Sequence, residues 1–101
     1  MIRIAKDTPP ELIDLARRIN FSSIPVSQHP AKINELKRVA ERYGVPKRAD
    51  KAIPAELELN GCPQSLATLI SQMDFSKYNP IIRKTAINFM ENWLKKEGLL
   101  K

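Results

Sequence analysis

The sequence predicts an all-α fold: a small single-domain bundle of four main helices with one or two short helical turns. Three observations lead there. Apolar residues recur at helical spacing in four separate stretches. Proline marks helix starts and glycine marks helix ends. The chain has 101 residues, 43% of them hydrophobic and 28% charged, a balance that suits a globular domain with one modest core.

The strongest helix signal spans residues 80–97. Asn79 is placed to cap it, and Pro80 fits the first helical position, where its missing N–H costs nothing. Ile82, Ala86, Phe89, Met90 and Trp93 share one stripe and are expected to face the core. Gly98 can end the helix in the left-handed conformation and let Leu99 pack back on Leu94.

The rest of the chain follows in order. Residues 1–7 alternate apolar and charged, with Ile2 and Ile4 on one side. Without an evident partner strand they read as an extended N-terminal arm. Thr8 and Glu11 form a capping-box pattern for a helix over 8–20, with Leu12, Ile13, Leu15, Ala16 and Ile19 inward. Phe21 to His29 reads as a linker anchored by Phe21, Ile24 and Val26, since Pro25 and Pro30 oppose a continuous helix. A second helix is expected over 30–43, capped by Ser27 or His29, with Ile33, Leu36, Val39, Ala40 and Tyr43 inward and Gly44 at its end. The short turns fall between 46 and 60, one of them opening at Pro54. A third helix over 63–73 carries Leu66, Leu69, Ile70 and Met73. Its short link to the last helix predicts an antiparallel hairpin, with Phe75 and Tyr78 plugging the joint.

Composition narrows the function. The net charge is +6 and the pI about 9.7, which points to polyanionic partners, nucleic acid or an acidic protein. No stretch of about 18 apolar residues indicates a membrane span, and residues 1–7 lack the apolar run of a signal peptide. With the single Cys62, which has no internal disulfide partner, this predicts a cytoplasmic protein. One histidine and one cysteine cannot build a Cys/His zinc site, and no glycine-rich phosphate loop is present, so neither metal nor cofactor is expected. His29 and Cys62 are the only base–nucleophile pair of their kind. They lack a third orienting group, and the chain reads as non-enzymatic.

Charge is concentrated in residues 32–51. Lys32, Lys37, Arg38, Arg42, Lys47, Arg48 and Lys51 stand there against Glu35, Glu41 and Asp50, which places +4 of the net +6 in a fifth of the chain. Arg38 and Arg42 are one helical turn apart. Such like charges cost a little stability unless an anion neutralises them. Lys37, Arg38, Arg42, Lys47, Arg48 and Lys51 are therefore the expected nucleic-acid contacts. A competing candidate is apolar. Ile81 and Ile87 lie off the stripe of the last helix and Leu99 and Leu100 follow it, a surface suited to a helical partner or to a second copy of the chain.

Two short segments resemble known families. Leu36 to Val45, with Ala40, Gly44 and Val45 at the small, glycine and apolar positions, resembles the first helix and turn of a helix-turn-helix. That resemblance implies Lys47, Arg48 and Lys51 at the major groove or its phosphates. The continuation departs from the pattern, because Asp50 falls at a buried position of the recognition helix and Pro54 would cut that helix short. Ala86, Phe89, Met90 and Trp93, followed by Lys95 and Lys96, are similar to the last helix of the N-terminal helical domain of transcription elongation factors. That likeness implies a bundle that binds peptides.

Overall fold

The structure is a computed structural model describing residues 1–101. Strand β1 (Ile2–Ala5) leads into helix α1 (Pro10–Arg18). A 3₁₀ turn at Val26–Gln28 runs into α2 (His29–Arg42). Strand β2 (Pro54–Leu57), α3 (Gln64–Ser71) and α4 (Pro80–Lys96) follow. The four helices hold about half the chain. No helix is long and apolar enough to cross a membrane.

The expectation of an all-α bundle is corrected by the sheet. β1 and β2 pair antiparallel, with Ile2 opposite Leu57, Arg3 opposite Glu56, Ile4 opposite Ala55 and Ala5 opposite Pro54. The N-terminal segment is thus a strand rather than an arm, and the stretch expected to turn helically at Pro54 is its partner. Residues 54–59 alternate between exposed and half-buried, with Ala55, Leu57 and Leu59 inward and Glu56 and Glu58 outward. That two-residue period belongs to a strand.

The two edges of this ribbon are closed differently. Along the free side of β1, the Arg3 N–H donates to Gln64 Oε1 at 2.8 Å and the Ala5 N–H to Ser71 Oγ at 2.8 Å. Gln64 Nε2 donates back to the Arg3 carbonyl at 2.8 Å. Helix α3 therefore covers that edge with its own polar side chains. The edge of β2 carries Pro54, which has no N–H to offer, and the charged Glu56 and Glu58. Both features discourage pairing with another strand.

Helix ends follow backbone chemistry more closely than the expected side-chain caps. Asn79 Oδ1 does accept from the Ile82 N–H at 2.9 Å. The capping box at Thr8 is absent: Thr8 Oγ1 donates to the Ala5 carbonyl at 2.6 Å, and Pro9 takes the cap position of α1. Gln28, not Ser27 or His29, precedes α2, with no side-chain cap. Gly44 (φ +77°) and Gly98 (φ +72°) are both left-handed. Behind them the Val45 N–H reaches the Ala40 carbonyl at 3.0 Å, and the Leu99 N–H reaches that of Leu94 at 2.9 Å. This closure satisfies orphan carbonyls and folds an apolar residue back onto the helix.

One apolar cluster joins all four helices, including Leu12, Ile19, Phe21, Leu36, Leu66, Ile70, Met90, Leu94 and Leu99. Helix α3 lies against β1 and α2, while α4 packs on α2 and α1, so the expected α3–α4 hairpin is not formed. The chain leaving α3 instead pairs with residues 46–48. Lys47 bridges Met73, the Arg48 N–H donates to the Gln72 carbonyl at 2.7 Å, and the Asp74 N–H donates to that of Pro46 at 2.9 Å. This detour redirects residues 72–79 before α4 begins.

The C-terminal tail explains a second correction. The Asn20 N–H donates to the Leu99 carbonyl and the Lys101 N–H to the Arg18 carbonyl, while Leu100 bridges Ile19. The tail is laced to the end of α1, and Ile87, Leu94 and Leu99 share the buried core. The inward face is therefore Ala86, Ile87, Met90 and Leu94, rotated roughly 70° from the expected stripe at 100° per residue. Ile82 and Phe89 emerge at the surface, and Val26, expected as an anchor, is exposed.

Candidate functional site

The structure divides the expected cationic set. Arg48 is not a free surface charge. Its Nη2 and Nη1 donate to the two carboxylate oxygens of Asp7 at 2.6 and 3.1 Å, and its Nε donates to the Ser71 carbonyl at 3.0 Å. Only 14% of its side chain is exposed. The hydrogen bond from Arg48 holds the Asp7 carboxyl below its ordinary range. Arg48 thus ties the chain before α1 to the end of α3, with all three kinds of guanidinium nitrogen engaged. Lys32 is engaged too, with Glu97 at 2.9 Å and Glu35 at 3.9 Å, which fastens the start of α2 to the end of α4.

Four other cations lie on α2 and just beyond its end. Lys37, Arg38, Arg42 and Lys47 are exposed, and none has a carboxylate within ion-pairing distance. Arg38 and Arg42 sit one turn, about 6 Å of rise, apart on the solvent side of α2. Lys37 and Lys47 flank a shallow hollow of about 90 Å³ between α2 and α3, floored by Ala40, Val45, Leu69 and Met73. Glu41 is the one carboxylate beside them. Lys51 is separate. It lines a hollow with Lys6, Asp7, Arg48, Asp50 and Ile53, where the charges are mixed.

Across the whole molecule, thirteen of the seventeen Lys and Arg side chains lie outside ion pairs, against six of the eleven carboxylates. Ion pairing therefore leaves the positive excess facing solvent rather than hiding it. The helix-turn-helix resemblance does not extend into three dimensions. Residues 47–53 form no helix after the Gly44 turn, and the next regular element is a strand.

The apolar candidate separates as well. Ile87 and Leu99 are buried in the core, and Leu100 is half-buried where it bridges Ile19. Of the four expected partner-binding residues only Ile81 is at the surface, 77% exposed. In their place stands a patch of residues that helical spacing predicts to face the core. Ile82 is 50% exposed, Tyr43 45% and Phe89 37%. The rings of Tyr43 and Phe89 stack with centroids 3.7 Å apart and planes 8° from parallel. A hollow of about 150 Å³ beside them is lined by Ile81, Ile82, Thr85 and Ala86. The signal for this patch was present in the sequence as the width of the apolar arc on the last helix, too broad for one core to cover.

His29 and Cys62 come to line the same hollow, about 250 Å³, with no hydrogen bond between them. His29 Nε2 faces the Ile24 carbonyl at 3.1 Å and its ring meets Phe21 edge-on at 5.2 Å. Cys62 is buried, its thiol faces the Pro63 carbonyl at 3.7 Å, and burial pushes its pKa up to about 12. A thiol so protonated is a poor nucleophile. No three His, Cys, Asp or Glu side chains are grouped so as to hold a metal ion. Comparison with known protein families, with curated proteins and with solved structures finds no match to the chain.

Proposed function

We propose that this chain is a non-enzymatic nucleic-acid-binding protein that takes phosphates on α2 and the turn beyond it. The observation that carries the reading is the state of Arg38 and Arg42. Both are exposed, one turn apart, and without an acidic partner, while the neighbouring Lys32 and Arg48 are neutralised inside the molecule. Lys37 and Lys47 extend the same surface, and Lys51 adds a more distant charge. Contacts of this type fix position on a polyanion and carry little base readout.

The test is fluorescence anisotropy with short DNA and RNA over a salt series. Affinity should fall steeply with salt, because each neutralised phosphate releases counterions. Arg38→Glu combined with Arg42→Glu should lower affinity at least about tenfold with the melting temperature preserved. Binding indifferent to both salt and these changes refutes the reading.

A second reading, a protein-interaction or self-association module, has one observation in its favour: the apolar surface of Ile81, Ile82 and Phe89 on α4 with Tyr43 at the end of α2.

A further inference from the structure

We infer that the stacked rings of Tyr43 and Phe89 form a platform for unpaired bases, so that the polyanion taken by α2 is single-stranded. This rests on the nucleic-acid reading above. Arg42 directly precedes Tyr43, and Arg38 lies one turn back on the same helix. Lys96 lies two turns beyond Phe89 on the same side of α4, and Lys77 precedes Tyr78, whose hydroxyl donates to the Gly44 carbonyl next to Tyr43. No carboxylate lines the hollow beside the rings. An apolar, aromatic surface bordered by unpaired cations is the arrangement by which single strands are held: bases on rings, phosphates on arginine and lysine.

The other occupants fit less well. Four exposed apolar side chains make a small patch, well short of the roughly 20–30 residues per partner of a stable protein complex. A second copy would also bring +6 against +6. An acidic peptide would satisfy the charge. The hollow, however, is small, about 150 Å³ and lined by six residues, whereas a docked peptide helix needs a groove that takes anchors over two turns. Two rings 8° from parallel present flat faces in series, which another planar ring can continue. A duplex keeps its bases stacked inside and cannot use such a platform.

The experiment measures anisotropy for one fluorescein-labelled 12-nucleotide DNA, single-stranded and as its duplex, with wild type, Tyr43→Leu, Phe89→Leu and the Arg38→Glu/Arg42→Glu pair. Leucine keeps apolar cover while removing the ring. Single strand should bind at least fivefold tighter than duplex. Each leucine variant should lose about tenfold for single strand, within the range of one base–aromatic stack, and less than twofold for duplex. In wild-type NMR spectra the ring protons of both residues should shift on adding the single strand, a readout independent of how well the variants fold. Equal binding of both forms with unaffected leucine variants overturns the inference and leaves the phosphate reading standing. Absence of binding to either form overturns both. Binding of an acidic amphipathic peptide that is lost in Phe89→Leu, without nucleic-acid binding, overturns both and assigns the patch to a protein partner.

Discussion

Arg48 separates a structural role from a binding role within one basic segment, and Arg48→Met tests the separation. Methionine keeps most of the buried stem and removes the charge. The pair with Asp7 is bidentate, but the Asp7 side chain is 66% exposed. Its contribution therefore falls in the range of screened surface pairs, about 0.2–1 kcal/mol. The hydrogen bond from Nε to the Ser71 carbonyl is better shielded, and one made by a charged donor contributes roughly 1.5–3 kcal/mol. Together these predict a loss of about 2–4 kcal/mol. For a domain of this size that lowers the melting temperature by about 8–32 °C. Differential scanning calorimetry reads the stability, and anisotropy over a salt series reads the binding. Nucleic-acid affinity should change less than threefold and its salt slope should hold. Arg38→Gln should behave in the opposite way, with an unchanged melting temperature and a salt slope shallower by about 0.7–0.9. If Arg48→Met instead melts like wild type and loses about one unit of slope, Arg48 is a phosphate contact, and its attachment to Asp7 and Ser71 is not what holds it in solution.

The remaining expectations concern the fold that carries this surface. Leu99→Ala, at a fully buried site, should cost about 2–5 kcal/mol, while Ile81→Ala, 77% exposed, should stay within about 0.5 kcal/mol; urea unfolding distinguishes them. Gly61→Ala places a Cβ 2.6 Å from the Ile19 carbonyl oxygen and 2.8 Å from Asn20 Cα, both backbone atoms, and should destabilise by at least about 1–3 kcal/mol in the same assay. Stability should also fall in acid. Asp7 and Glu97 are held below their ordinary 3.8 and 4.5 by hydrogen bonds from Arg48 and Lys32. The folded state therefore binds fewer protons than the unfolded one, and this contribution is full above about pH 4.5 and lost as pH falls through the lowered folded values. Melting temperatures should be level from pH 5 to 7 and decline below about 4, and Asp7→Asn should make the decline shallower.

Much of the fold was legible wherever local backbone chemistry decides. Gly44 and Gly98 end helices because each must enter the left-handed region, and an apolar residue after each gives the closing turn something to pack on. Pro80 behind Asn79 needed no tertiary information either. The sheet was legible only by halves. Ile2 and Ile4 alternated visibly, but a strand is stabilised by its partner, and that partner lies about fifty residues away behind a proline that equally suits a helix start. Thr8 shows the same competition at short range. A hydroxyl with two local partners within reach took the Ala5 carbonyl, and the cap was left to the backbone of Pro9.

The site was harder to read, for a reason visible in α4 and α2 together. Periodicity reports how wide an apolar arc is, but which part of it turns inward depends on what arrives from elsewhere in the chain. Here the tail laced to Arg18 and Asn20 completes a core that takes in Ile87 and Leu94, and the surplus apolar width emerges as Ile82 and Phe89 against Tyr43. Charge behaves in the same way. Arg38 and Arg48 look equivalent in the sequence, and only the approach of Asp7 and Ser71 removes one of them from the surface. What tertiary structure leaves unclaimed is therefore more informative than what the segment contains. The unpaired arginines and the exposed rings both lie toward the C-terminal end of α2, which is why the reading proposed above gives them to a single ligand bearing both anionic groups and flat apolar ones.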